Sequence, residues 1–231
     1  MMKKELQIVS VVFLCIFLFS ICIPAVTAYN DCLVDRTRAV QDPTEPALAD
    51  YINARMSEAR NSINSIHWVN GVADHASSPS DRDFINHIDD LSSNANIVAV
   101  HSHGGISGSS SFLRFGDDSD LYDNDVNNWL DPGGYFLYAG SCHSAEYTDL
   151  GNSFVSRGFN TYFGFTGTVN TIYSSRFCSA FFYMAKYLDT TVSEARDYAL
   201  LEVLDDFGKY GGTDHNRFIG DSNLFLAPSD W

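Results

Sequence analysis

Three short apolar runs constrain the fold of this chain more than any other feature of its sequence. They lie at 97–100 (IVAV), 134–139 (GYFLYA) and 161–165 (TYFGF), among stretches in which apolar residues recur with helical spacing. A strand without polar alternation is typical of a sheet that is buried on both faces. The pattern therefore predicts an α/β fold, a mainly parallel sheet with helices on both faces.

The first 28 residues are typical of a secretory signal peptide. Lys3 and Lys4 precede an apolar run over 8–26, and the small residues Val26 and Ala28 frame a cleavage site. This order predicts export and cleavage after Ala28, so that the protein is secreted or lies at the cell surface without stable membrane insertion. A retained membrane anchor is the alternative, because the run is nearly long enough to span a bilayer.

The rest of the chain fits one domain. We expect an irregular lead-in over 29–46, which is polar and contains two prolines, and a single α/β domain over 47–231. The net charge of −15 argues against nucleic acid or an anionic membrane surface as a partner, because both would be repelled.

Three cysteines lie outside the predicted signal peptide, namely Cys32, Cys142 and Cys178. So few cysteines exclude a disulfide scaffold, and an odd number in an exported protein leaves a free thiol or an intermolecular bond. The simplest arithmetic pairs Cys32 with Cys178 and leaves Cys142 free.

His103 and Cys142 each follow one of the apolar runs and are candidates for a catalytic dyad. In parallel sheets the ligand site lies at the carboxyl ends of the strands, where both residues are expected. An imidazole can accept the proton of a nearby thiol and make it a nucleophile. The backbone N–H groups of Gly104 and Cys142 are candidates for an oxyanion hole, and Gly104 has no side chain to obstruct a substrate.

The residues around this pair resemble the caspase–hemoglobinase superfamily, clan CD of the cysteine peptidases, and its gingipain-like and metacaspase-like members in particular. The motifs are VAVHSHG at 98–104 and LYAGSCHSA at 137–145, and the resemblance extends over roughly 65–226. It implies a three-layer sandwich, a catalytic His103, a nucleophilic Cys142 and a protein or peptide substrate. It implies no organic cofactor and no metal.

Gly140, Ser141 and His143 stand next to Cys142 along the chain and are candidates for substrate-adjacent positions, with a structural role as the alternative for His143. In relatives that cleave after basic residues or asparagine, the position two before the nucleophile is often acidic, because it helps to line the first specificity pocket. Here that position is Gly140, so a basic substrate side chain lacks this partner. The carboxylates of the acidic loop at 117–125 are the alternative source of negative charge.

Two metal sites are alternative interpretations. His101 and His103 form a His-x-His pair that suits zinc, although no third ligand stands at a recognisable spacing. Otherwise we expect His101 to pack beneath the site. The clustered oxygens of the acidic loop, from Asp117 to Asp125, suit calcium, and otherwise form a solvated face.

Cys142 has two further interpretations. It is a small buried core residue, or it belongs to an α/β-hydrolase nucleophile elbow in "GSCHS", with Asp206 or Asp214 and His215 as partners. For the function as a whole, the alternative to an exported cysteine endopeptidase is a catalytically inactive caspase-like surface domain that binds or adheres to a partner. Gly140 and the negative charge motivate that alternative.

Overall fold

The computed structural model describes residues 30–41, 45–92 and 96–230, and the predicted signal peptide over 1–28 lies outside them. The described residues form nine strands and seven helices. The strands are β1 (Cys32–Asp35), β2 (Val72–His75), β3 (Ile97–Val100), β4 (His103–Ser107), β5 (Ser110–Arg114), β6 (Asp120–Leu121), β7 (Phe136–Ala139), β8 (Thr161–Phe165) and β9 (Asn216–Gly220). The helices are α1 (Arg38–Gln41), α2 (Pro46–Asn64), α3 (Asp81–Asp89), α4 (Asp123–Trp129), α5 (Asp149–Ser156), α6 (Thr171–Ala185) and α7 (Val192–Phe207).

Six strands form the central sheet, in the order β2-β1-β3-β7-β8-β9. Neighbouring strands are parallel except β8 and β9, which are antiparallel. The three apolar runs supply β3, β7 and β8, and every residue of these strands is buried. A smaller antiparallel sheet, β4-β5-β6, follows β3.

Helices cover both faces of the central sheet. One core lies between the sheet and α2, α6 and α7, where Met56, Phe177 and Ala199 are buried. The other core lies between the sheet and α3, α4 and α5, where Phe84 and Phe154 are buried. The predicted α/β fold, a mainly parallel sheet between two helical layers, is therefore confirmed.

Local signals in the sequence fix where two helices begin. The Ser80 hydroxyl accepts the backbone N–H of Asp83 at 3.1 Å and caps α3. Thr191 and Glu194 form a capping box at the start of α7, in which each side chain accepts the other residue's N–H. These bonds satisfy N–H groups that the first helical turn leaves without partners. A membrane-spanning helix is absent from the described ranges, where no helix combines the required length with a sufficiently apolar composition.

The prediction of an irregular lead-in over 29–46 was wrong. Its residues include β1, which pairs with both β2 and β3, and the short helix α1. The domain therefore begins before residue 47. The run CLVD holds only three apolar residues before Asp35, and a polar stretch surrounds it, so its pattern does not stand out as those of IVAV and FLYA do.

The pairing of Cys32 with Cys178 was also wrong. Cys32, Cys142 and Cys178 are all free thiols, and Cys32 and Cys178 are buried in the core on the α2 and α6 side. Burial raises the pKa of Cys32 to about 12, because a thiolate there would lose its hydration. Burial likewise raises the pKa of Cys178. Both cysteines therefore behave as small apolar residues.

Candidate active site

The two predicted catalytic segments leave the sheet side by side. Strands β3 and β7 are parallel neighbours, and their last residues, Val100 and Ala139, are register partners. The chain after β3 continues to His103, the first residue of β4, and the chain after β7 continues to Cys142. Both segments therefore start from the carboxyl edge of the sheet, as the sequence predicts.

Gly104 lies directly against the cysteine turn. A Cβ atom at Gly104 would stand 2.6 Å from the carbonyl oxygen of Cys142 and 2.9 Å from the Cβ of Ser141. Real Cβ atoms do not approach backbone oxygen so closely, so any side chain here would push the two segments apart. Glycine at this position is therefore what allows the backbone beside His103 to touch that of Cys142.

Cys142 is partly exposed, and the loop after β8 holds its thiol. The sulfur lies 3.4 Å from the backbone nitrogen of Val169 and 3.4 Å from its carbonyl oxygen. The next residue, His143, donates its backbone N–H to the carbonyl of Gly167 at 3.0 Å. These contacts fix the turn that presents the thiol at the edge of the sheet.

His103 is also partly exposed, and Gln41 holds its backbone. The N–H of His103 donates to Oε1 of Gln41 at 2.8 Å, and Nε2 of Gln41 donates to the carbonyl of Arg114 at 2.8 Å. The carboxamide thus bridges β4 and β5 at the end of the pair where His103 stands opposite Arg114. Sequence reasoning missed Gln41, because it lies in the stretch that was predicted to be irregular.

Helix α1, which carries Gln41, is anchored to the end of β3. The N–H of Arg38 donates to the carbonyl of His101 at 2.7 Å. Thr37 directly precedes α1, and its backbone N–H and hydroxyl both donate to Oδ1 of Asp35. The Ser78 hydroxyl donates to Oδ2 of the same carboxylate. Asp35 is fully buried, and burial raises the pKa of its carboxyl.

His101 lies beneath the site, as the sequence predicts, and its side chain is only 1% exposed. Its Nε2 lies 3.0 Å from the hydroxyl of Ser174 and 3.3 Å from that of Ser175, both on α6. Burial, reinforced by the positive charge of Arg38, lowers the pKa of His101 to about 3. The imidazole is therefore neutral at physiological pH.

Gly140 and Ser141, which the sequence predicts beside the substrate, are both buried. A Cβ atom at Gly140 would stand 2.8 Å from Cδ2 of His101, so this position is glycine because an imidazole packs on it. The Ser141 hydroxyl lies 3.0 Å from that of Ser102. Both residues support the site from below.

His143 is partly exposed and has the left-handed backbone conformation, with φ of 56°. Its Nδ1 contacts the carboxylate of Glu146, and its Nε2 lies 3.0 Å from the hydroxyl of Thr168. Both ring nitrogens therefore have partners within the loops around the cysteine turn. This arrangement favours a structural role for His143.

The acidic loop uses its carboxylates locally. Asp120 accepts two bonds from Arg114, and Asp117 accepts the N–H of Ser119. Asp125 accepts the N–H of Tyr122 at the start of α4. In the described ranges, no group of three or more His, Cys, Asp or Glu side chains could hold a metal ion.

Asp206 is one of the acidic candidates for an α/β-hydrolase nucleophile elbow. In the structure its carboxylate forms an ion pair with Arg176.

Two clefts open near the dyad. The first, here called the hairpin cleft, has a volume of about 540 Å³ and lies between α1 and the β4–β5 hairpin. Its walls include Val40, His103, Gly104, Phe112, Arg114 and Asp118. The second, here called the helix cleft, has a volume of about 460 Å³ and lies between the first turns of α2 and α6. Its walls include Leu48, Tyr51, Asn170, Thr171 and Ile172.

Comparison with known proteins places the chain next to one relative in sequence and several in fold. No family model matches it. It is 52% identical over 186 residues to an uncharacterized protein of Archaeoglobus fulgidus, in an alignment that covers 78% of this chain and 96% of the other.

Two solved structures share its architecture. The crystal structure of the Arg-specific cysteine proteinase gingipain R superimposes with a TM-score of 0.57 at 11% identity, over 86% of this chain and 48% of that one. The Drosophila initiator caspase Dronc superimposes with a TM-score of 0.54 at 12% identity, over 86% of this chain and 82% of that one. The chain thus spans about half the length of gingipain R.

Proposed function

Because this chain belongs to the same family as the Archaeoglobus fulgidus protein and has the caspase–hemoglobinase fold, we propose that it is a cysteine endopeptidase with a His103–Cys142 dyad. The observation that carries the proposal is the contact between Gly104 and Cys142 at the ends of two neighbouring parallel strands. It brings a thiol, a histidine segment and two backbone N–H groups to one edge of the sheet, beside an open cleft.

The first half of the reaction is acylation. His103 accepts the proton of the Cys142 thiol, and the sulfur attacks the carbonyl carbon of the scissile peptide bond. The N–H groups of Gly104 and Cys142 donate to the oxygen that becomes negatively charged. The carbon–nitrogen bond then breaks, His103 returns its proton to the departing amine, and a thioester on Cys142 remains.

The second half is hydrolysis of that thioester. A water molecule gives a proton to His103 as its oxygen attacks the thioester carbon. The carbon–sulfur bond breaks, the sulfur takes the proton back from His103, and a carboxylic acid leaves. His101 takes no part in this proposal, because it is neutral and buried.

Export completes the proposal. The charged start and the apolar run within 1–28 are typical of a signal peptide, so we place the enzyme outside the cytoplasm, secreted or at the cell surface. Its substrates would then be proteins or peptides in that space. Amino-terminal sequencing of protein released from expressing cells is expected to begin at Tyr29.

A library of internally quenched peptides tests the activity. The reduced protein is expected to cleave some members, and Cys142→Ala to lower the rate at least about 1000-fold, as expected when a nucleophile is removed. Cys178→Ala is the matched control, because it removes a buried thiol from the same fold and should leave kcat within about twofold. If the reduced protein cleaves no peptide, or if Cys142→Ala retains the activity, the peptidase assignment is wrong and a binding role of the same fold takes its place.

A further inference from the structure

The two clefts lie on opposite sides of the sheet's carboxyl edge. Phe115, in the wall of the hairpin cleft, belongs to the core on the α3, α4 and α5 side. Leu48, in the wall of the helix cleft, packs against the core on the α2 and α6 side. Cys142 packs against that second core, and its thiol contacts Val169, the residue before Asn170 of the helix cleft. His103 instead lines the hairpin cleft.

The proposed chemistry gives these two sides different tasks. The departing amine takes its proton from His103, so it must come within hydrogen-bond reach of that imidazole, about 2.6–3.2 Å. The peptide chain advances roughly 3.3–3.6 Å per residue. The residue that follows the scissile bond therefore falls into the cleft that His103 lines.

The lining of the hairpin cleft favours an apolar side chain there. Val40 is 47% exposed, so its apolar side chain is open to a ligand in the cleft. Phe112 lies against the hairpin backbone, where a Cβ atom at Gly105 would stand 2.7 Å from its ring. A substrate side chain placed between Val40 and Phe112 would remove apolar surface of both from water.

The charges in the same cleft disfavour an acidic side chain. Arg114 donates from Nε and Nη2 to the two oxygens of Asp120, at 2.6 and 2.8 Å, so its fork already holds a carboxylate. Its guanidinium also stacks on Phe112, with 5.2 Å between Cζ and the ring centroid. Asp118 adds a further negative charge to the wall.

We propose that the hairpin cleft binds the leaving-group half of the substrate and selects an apolar rather than an acidic residue directly after the scissile bond. The inference rests on the proposed function, because it uses His103 as the donor to the departing amine. It goes beyond that function by naming a specificity site, with Val40 and Phe112 as its recognition surface.

Two quenched peptides with the same acyl half test the preference. They carry either leucine or aspartate directly after a bond that the library shows to be cleaved. We expect kcat/KM for the leucine peptide to be at least about 10-fold higher, the usual range for a side chain accepted by an apolar pocket. Equal values would overturn the inference and leave the peptidase intact.

A positive charge introduced into the hairpin cleft tests whether this cleft is the site of the preference. Val40→Lys should lower the leucine-to-aspartate ratio by about 10-fold, because a lysine there attracts the acidic peptide and covers the apolar wall. Ile106→Lys is the matched control, since Ile106 is 40% exposed on the same hairpin but does not line the cleft, and its ratio should equal that of the unsubstituted protein.

Each remaining outcome is decisive. A ratio that Val40→Lys leaves unchanged, or that Ile106→Lys changes equally, would place the preference outside the hairpin cleft. Cleavage of neither peptide, together with a Cys142 that alkylates no faster than Cys178, would overturn the proposed function and this inference with it.

Discussion

The chain contains the same two residue types at two depths, a histidine and a cysteine at the edge of the sheet and another pair beneath it. His103 and Cys142 are partly exposed, whereas His101 is 1% and Cys178 0% exposed. A single residue, Ser102, separates the histidines in sequence. The comparison teaches that the environment of a thiol or imidazole, rather than its residue type, decides whether it can do proton chemistry.

Solvation is the physical cause of the difference. The buried imidazole and thiol would each lose hydration on becoming charged. Burial therefore lowers the pKa of His101 and raises that of Cys178, and both stay neutral near pH 7.

Alkylation should separate the cysteines most sharply. At pH 7 we expect iodoacetamide to modify the partly exposed Cys142 at least about 1000-fold faster than Cys32, because burial raises the pKa of Cys32 from 9.0 to about 12 and lowers its own thiolate fraction by about that factor. Cys178 should be protected to a similar degree. Peptide mass spectrometry over time gives the three rates, and equal rates in folded protein would abolish the contrast.

The two histidines should also differ in catalysis, by a smaller factor than the cysteines differ in alkylation. His103→Asn should lower kcat/KM for a cleaved peptide by about 100-fold or more, the usual loss when a general acid–base group is removed. His101→Gln should change it less than about threefold, since glutamine can still bond the hydroxyls on α6. Steady-state kinetics on both variants checks the order, and a larger loss at His101 would reverse the assignment.

The buried histidine should instead govern acid stability. The pKa of His101 is about 3 in the folded state and about 6.5 when unfolded, so above pH 6.5 neither state holds the extra proton. As the pH falls below 6.5 only the unfolded state binds it, and stability drops by about 1.4 kcal/mol per pH unit. Urea unfolding at pH 6.5 and 5.0 should show about 2 kcal/mol more loss for the unsubstituted protein than for His101→Gln.

Gln41 should have the smallest effect of the four. Gln41→Ala removes the bond to the backbone of His103 and the bond to Arg114, each worth about 1 kcal/mol, and we expect kcat/KM to fall by about 10-fold. Gln41→Glu keeps the acceptor for the N–H of His103 and loses the donor to the carbonyl of Arg114. Its kcat/KM should therefore lie between those of the unsubstituted protein and Gln41→Ala. The pH profile of kcat/KM should shift for Gln41→Ala, because the position of His103 changes, and an unchanged profile would leave Gln41 with a structural role alone.

The sequence predicts the strands that carry the dyad, because β3, β7 and β8 are apolar on both faces and stand out as runs. It does not predict β1, which ends in a charged residue, Asp35. The carboxyl of Asp35 is buried, and Thr37 and Ser78 donate hydrogen bonds to it. Missing β1 also hides α1 and Gln41. The apolar pattern cannot reveal a residue whose role depends on partners distant along the chain.

The sequence motifs also do not show which residues next to Cys142 are buried. Gly140 and Ser141 precede the predicted nucleophile along the chain, and the sequence therefore predicts that they lie beside the substrate. The structure turns both inwards, where His101 packs against Gly140. Around this turn Gly140 and Ser141 are buried while Cys142 and His143 are partly exposed, and only the three-dimensional arrangement distinguishes them.

The free thiols have a consequence for the redox conditions that the protein tolerates. No disulfide links Cys32, Cys142 and Cys178, so among the described residues no covalent cross-link contributes to stability. A strong reductant should therefore leave the melting temperature unchanged. Oxidation of Cys142 to a sulfenic acid would remove the proposed nucleophile while the fold persists, and reductant would restore it. For the proposed exported enzyme, the balance of oxidant and thiol in its surroundings would then set the fraction of active molecules.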